Sequence, residues 1–126
     1  MSNQYTADEI KDILLDEGYR SVNILGEDIL VLKIDGSNYI IMLYGNGDIQ
    51  LMYGISGVPM LSLEKVNNWN SNRRLGCLHI VEENQLRFSL GLPTLSDGLS
   101  RADIAKGVSR MLEIVRTIDI LEFIED

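Results

Sequence analysis

The sequence predicts an α+β fold of the order α-β-β-β-α-β-β-α, with three helices on a five-stranded antiparallel sheet. Three observations carry that expectation. Short apolar runs are separated by tight-turn pairs, Asp35-Gly36 and Glu83-Asn84, and strands joined so closely must be antiparallel. Apolar residues recur at helical spacing near both ends of the chain and once in its middle. Each of those stretches follows a hydroxyl residue suited to capping it, namely Thr6, Ser62 and Ser100.

The elements follow in order. Thr6 opens the first helix, over 6–17, and Glu9 stands three residues on, the capping-box spacing. Ile10, Ile13 and Leu14 form its apolar stripe, and Gly18 suits its end. ILVLKI (29–34) is the first strand and runs into Asp35-Gly36, a pair that accepts the positive φ angles of a type I′ turn. NYIIMLY (38–44) returns to a second turn, Gly45-Asn46-Gly47, and DIQLMYG (48–54) is the third strand. SVNILGED, before the first strand, is an extended lead-in.

Pro59 breaks the sheet. A short helix over 61–72 follows, with Ser62 as cap and a narrow stripe of Leu63, Val66 and Trp69. Its asparagines are poor helix formers and end it near Ser71. LGCLHIVE (75–82) and QLRFSLGL (85–92) form a second hairpin across Glu83-Asn84. Pro93 to Gly98 is a loop. Ser100 caps the last helix, 101–123, whose apolar face holds Ile104, Val108, Met111, Leu112, Val115 and Ile118. With no repeat or linker, residues 1–126 read as one domain.

Residues opposed on antiparallel strands share a face. Across Asp35-Gly36, Leu32 opposes Tyr39 and Leu30 opposes Ile41 on one side. Val31 opposes Ile40 and Ile29 opposes Met42 on the other, so both sides are apolar. A two-residue turn at Glu83-Asn84 puts Val81, His79 and Cys77 opposite Leu86, Phe88 and Leu90, under a helix. Leu78 and Ile80 then lie on the far face, an assignment that a three-residue turn would reverse. A sheet with one wet side should alternate apolar with polar instead. The helices are therefore expected to cover one face, and a partner or second copy part of the other.

The chain carries a formal charge of −8 and a pI near 4.5. Such a surface repels phosphate backbones and anionic headgroups, so neither nucleic acid nor membrane is an expected partner. No apolar run is long enough to span a bilayer, and the polar start MSNQYTADEI is unlike a signal peptide. Cys77 is the sole cysteine and has no internal disulfide partner, which fits a reducing cytoplasm.

Chemistry-bearing constellations are sparse. Cys77 and His79 share a strand face, but a nucleophile pair needs an orienting third group and a zinc site needs more ligands. Each is the single residue of its kind, and both read as packing. The glycines match no phosphate-binding loop. The carboxylates of 8–17 and the C-terminal Glu122, Glu125 and Asp126 read as solvated faces. No catalytic residue, metal site or cofactor is expected.

The stretch VNNWNSNRRLG (66–76) holds the only tryptophan, Trp69, flanked by Asn68 and Asn70. It reads as an aromatic interface anchor or as a helix pinned to the core, with Arg73 over the ring and asparagines tying the helix to the next strand. An Asn-x-Trp-Asn element, a basic pair, a hairpin, a glycine-bearing loop and an amphipathic helix, in that order, resemble the YbjN family of bacterial proteins. The matching residues are Asn67, Trp69 and Asn70, then Arg73 and Arg74, then Asp97-Gly98-Leu99. The order of elements agrees over nearly the whole chain, and 66–115 carries the specific residues. Glu83-Asn84 stands where many relatives have Asp-Gly, and Asp97-Gly98 where the family has two glycines.

The resemblance implies a fold like that of type III secretion chaperones, often dimeric, and a regulatory or chaperone-like role without catalysis. The expected function is thus a cytoplasmic, non-enzymatic protein-interaction module. It is expected to form a homodimer, or to bind another protein or an extended peptide segment. A dedicated secretion chaperone and a small-ligand binder or enzyme are the alternatives. The candidate interface residues are Leu78, Ile80, Val31, Ile40, Met42 and Trp69.

Overall fold

The computed structural model describes residues 5–82, 84–94 and 98–125. Glu83 of the second hairpin turn, Asp97 of the Asp97-Gly98 pair, Asp126 and residues 1–4 lie outside the described residues. The elements are α1 (Ala7–Asp16), β1 (Ser21–Gly26), β2 (Ile29–Ile34), β3 (Ser37–Leu43) and β4 (Ile49–Ile55). After them come α2 (Leu63–Ser71), β5 (Cys77–Glu82), β6 (Gln85–Leu92), α3 (Arg101–Val115) and a final 3-10 turn, Ile120–Phe123.

Local chemistry explains the element ends. Thr6 Oγ1 accepts the Glu9 N–H while Glu9 Oε1 accepts the Thr6 N–H, a complete capping box. Ser62 caps α2, and Ser100 with Asp103 forms a second capping box on α3. Asp35 and Gly36 have φ of 50° and 82°, as a type I′ turn requires. That turn sets β2 against β3 in the expected register, with Leu30 opposite Ile41 and Val31 opposite Ile40.

The sheet is antiparallel throughout, in the order β1-β2-β3-β4-β6-β5. It has six strands where the sequence predicts five. The added strand is β1, from the segment read as a lead-in. Its pattern is weak because only Val22 is buried and a bulge between Ile24 and Gly26 breaks the alternation.

The second hairpin departs from the expected register. Glu82 pairs with Gln85, but a bulge follows, and Ile80 pairs with Leu86, Leu78 with Phe88 and Cys77 with Ser89. One extra residue flips every side chain beyond it to the opposite face. Val81 follows apolar Ile80 and precedes Glu82 at the turn, and a two-residue turn with either facing fits these residues, so the pattern does not mark Val81 as the bulged position.

The last helix ends at Val115 and does not run on to 123. The Thr117 N–H and hydroxyl both donate to the Ile114 carbonyl, closing the helix with a tight turn. Asp119 then caps the 3-10 turn, which swings Phe123 beneath α2, where it is 0% exposed. The Ser62 N–H bonds Phe123 O and the Glu125 N–H bonds Met60 O, both at 2.8 Å. A straight helix would carry Phe123 out into water. Burying its ring and making these cross-chain bonds offset the lost helical turns.

All three helices pack on one face of the sheet: α1 on β1 and β2, α3 on β4 and β6, and α2 on β5. Between them lies one core, centred on Leu30, Leu32, Ile41, Leu51, Leu86 and Phe88, with Ile10, Leu14, Ile104, Val108 and Met111 from the helices. The opposite face of the sheet has no helix on it among the described residues.

Candidate functional site

Strand pairing lays out the uncovered face row by row. The middle row crosses all six strands as Asn23, Val31, Ile40, Met52, Ser89 and Cys77. Toward the β1–β2 turn the next row carries Ile29, Met42 and Gln50. Toward the Asp35-Gly36 turn it carries Lys33 and Asn38, then Arg87 and His79. Ile40 is 38% exposed, and Ile29, Val31, Met42 and Met52 are half-buried only by one another and their strand neighbours. Tyr44 borders this patch, its hydroxyl donating to Gln50 Oε1 at 2.8 Å. Although the chain has 19 acidic residues, these rows hold no carboxylate; Glu82 stands at the tip of β5.

Val31, Ile40 and Met42 therefore sit together on the open face. Leu78, Ile80 and Trp69 do not. The bulge after Ile80 turns Leu78 (2% exposed) and half-buried Ile80 toward the helices, and it turns Cys77 and His79 outward. Ile29, Met52, Lys33 and Arg87 belong to the face but were not among the candidates. Continuing the facing argument through Gly45-Asn46-Gly47 would have placed Met52, since Ile40 pairs with it.

Trp69 is 4% exposed and belongs to the core. Its ring meets Phe88 at 6.2 Å and Phe123 at 6.3 Å, both edge-on, and the Arg73 guanidinium lies 4.5 Å from its centroid. The carboxamide of Asn70 pairs with the backbone of Leu78 on both sides: Leu78 N–H donates to Oδ1 at 2.7 Å and Nδ2 donates to Leu78 O at 2.9 Å. The VNNWNSNRRLG segment thus builds the α2–β5 junction. Its tryptophan is a wedge between α2, β6 and the C-terminal turn.

Two aspartates are held ionised by local donors. The Thr94 N–H donates to Asp48 at 2.7 Å and Asn46 adds a second bond, so the Asp48 carboxyl lies below its ordinary value. The Ser100 N–H does the same for Asp103. A carboxyl whose folded pKa is depressed adds stability above its unfolded pKa, near 4, and loses it as pH falls through the folded value. Asp48→Asn and Asp103→Asn should each lower the melting temperature at pH 7. Their deficits against the wild-type chain should shrink as melting is repeated at successively lower pH below the ordinary aspartate range, as the wild-type carboxyls take up protons.

Among the described residues no three His, Cys, Asp or Glu side chains converge as a metal site, and no helix is long and apolar enough to cross a membrane. A cleft of about 470 Å³ opens at the β3–β4 turn, between Tyr44, Asn46, Gln50, Leu92 and Pro93, but no nucleophile or base lines it beyond the tied Asp48.

Comparison with known proteins gives two findings. Residues 6–119 match the YbjN family, described as "Putative bacterial sensory transduction regulator". The fold is similar to the crystal structure of YbjN from E. coli, described as "a putative transcription regulator". The TM-score is 0.65 at 17% identity, over 91% of this chain and 88% of that one. No curated protein matches the chain.

Proposed function

This chain belongs to the YbjN family, and from that premise we propose a non-enzymatic regulatory module that acts by protein docking, in the first place with a second copy of itself. The observation that supports this reading is the uncovered sheet face, apolar across β2, β3 and β4 and kept clear of carboxylates. Its single cysteine, Cys77, suits a reducing cytoplasm.

Six strands about 4.8 Å apart and roughly 20 Å long present about 500 Å² per copy. Two such faces would bury about 1,000 Å², the lower bound for a specific interface, so the dimer should be concentration-dependent. Charge favours one stacking. With strands antiparallel across the interface, Lys33 of one copy approaches the Glu27-Asp28 turn of the other.

Light scattering at micromolar concentration should report a dimer. Ile40→Lys with Met52→Glu should convert it to a folded monomer, because opposite charges on these cross-strand partners suit a wet sheet face but oppose burial against a second copy. A wild-type chain monomeric at a hundred micromolar would overturn the self-docking reading.

A further inference from the structure

The two edges of the sheet are protected unequally. At the β5 edge, the Asn70 carboxamide occupies both backbone groups of Leu78, α2 lies alongside, and a bulge interrupts the strand before Glu82. That edge is shut to another chain. At the other edge, β1 reads SVNILG, with no charge and no proline. These are the usual means by which proteins blunt an exposed strand. Its one protective device is the bulge after Ile24, which leaves Ser21 to Ile24 as a regular edge. Among the described residues no strand or side chain pairs with the outward backbone groups of that edge. Two large apolar side chains mark its end, Ile24 at 39% exposed and Leu25 at 66%.

A cleft of about 470 Å³ lies where this edge meets the start of α1. It is lined by Tyr5, Ile24 and three carboxylates, Asp8, Glu27 and Asp28, with no cationic side chain among its lining residues. The charge around the edge also selects its occupant. Since α1 packs on β1, pairing β1 with its own copy would bring two α1 helices together. Asp8, Glu9, Asp12, Asp16 and Glu17 are exposed on each, and each chain already carries −8. Like charges so placed oppose that pairing. A strand bearing cations meets attraction in the same place.

We infer that the β1 edge accepts an added strand from another polypeptide, an extended segment alternating aliphatic residues with lysine or arginine. Main-chain hydrogen bonds to Ser21–Ile24 supply the affinity. The aliphatic side chains pack beside Ile24 and Leu25, and a cationic side chain enters the Asp8, Glu27 and Asp28 cleft. The inference does not rest on the face-to-face dimer: the backbone edge of β1 is a different surface with a different occupant, and because Glu27 and Asp28 border both, the charge variants are compared at concentrations where the chain is monomeric.

The test uses a short fluorescein-labelled peptide alternating valine with lysine and threonine, titrated into the full chain at low salt and followed by anisotropy. Saturable binding is expected, with slowed amide exchange across β1 and no change across β5. Glu27→Gln with Asp28→Asn, both exposed turn residues, should weaken binding about tenfold. The same peptide with N-methylated backbone amides should not bind, because it cannot continue the ladder. Absence of saturable binding, equal binding by a peptide with glutamate in place of lysine, or exchange protection at β5 instead of β1 would each overturn the inference.

Discussion

Replacing Trp69 with alanine should destabilise the fold by about 3–4 kcal/mol, the usual cost of emptying a buried aromatic site. The ring is nearly inaccessible and, among the described residues, is the one aromatic side chain that meets both Phe88 and Phe123 edge-on. Each edge-to-face pair adds about 0.5–1.5 kcal/mol beyond area burial. The loss should also free the C-terminal turn, because Phe123 is held there by Trp69 and by the backbone bonds at Ser62 and Glu125. Trp69→Phe is the informative companion. The indole Nε1 is buried and has no hydrogen-bond partner among the described residues, so removing it relieves a desolvation cost of about 1–3 kcal/mol. The phenylalanine variant should therefore lose less than half of what the alanine variant loses. Urea denaturation of the three proteins decides it. A fully stable Trp69→Ala chain would overturn the core role, and one that also lost self-association would make the ring a recognition residue.

Gly76→Ala should cost about 2–4 kcal/mol, although it adds a single methyl group at a half-buried position. Gly76 has φ of 77°, in the left-handed region that side chains rarely adopt. A Cβ there would overlap Cζ and Cε1 at the tip of the Phe88 ring and stand 3.1 Å from the Ser89 carbonyl oxygen. Phe88 has little room to retreat, because its side chain is fully buried and packs against the Trp69 ring. The two substitutions act on one aromatic cluster, so the double variant should lose less than the sum of the two. Additive losses in the same urea series would show that Gly76 and Trp69 serve separate parts of the fold.

How much was legible in the sequence varied with the kind of signal. The helix starts were readable because capping is local: Thr6 with Glu9, Ser62, and Ser100 with Asp103 each satisfy donors within a few residues. The first hairpin was readable because Asp35-Gly36 dictates a turn and the turn dictates a register. That reasoning placed Val31, Ile40 and Met42 on a common face. It failed one hairpin later, where the bulge at Val81 left Leu78 on the core side. Both faces of that strand carry apolar residues, Leu78 and Ile80 on one and Cys77 and Val81 on the other, so a bulge changes the pairing without leaving a mark in the residue pattern.

The sequence by itself determined the α+β class, the caps, the antiparallel order within each hairpin and the two-sided apolar character of β2 and β3, because each follows from contacts within a few residues. Only the tertiary structure decided that β1 joins the sheet, that Trp69 is core, that the last helix stops short so Phe123 can fold back, and which face and which edge remain uncovered. Those outcomes depend on competition between distant parts for the same buried surface, and spacing along the chain does not encode who wins.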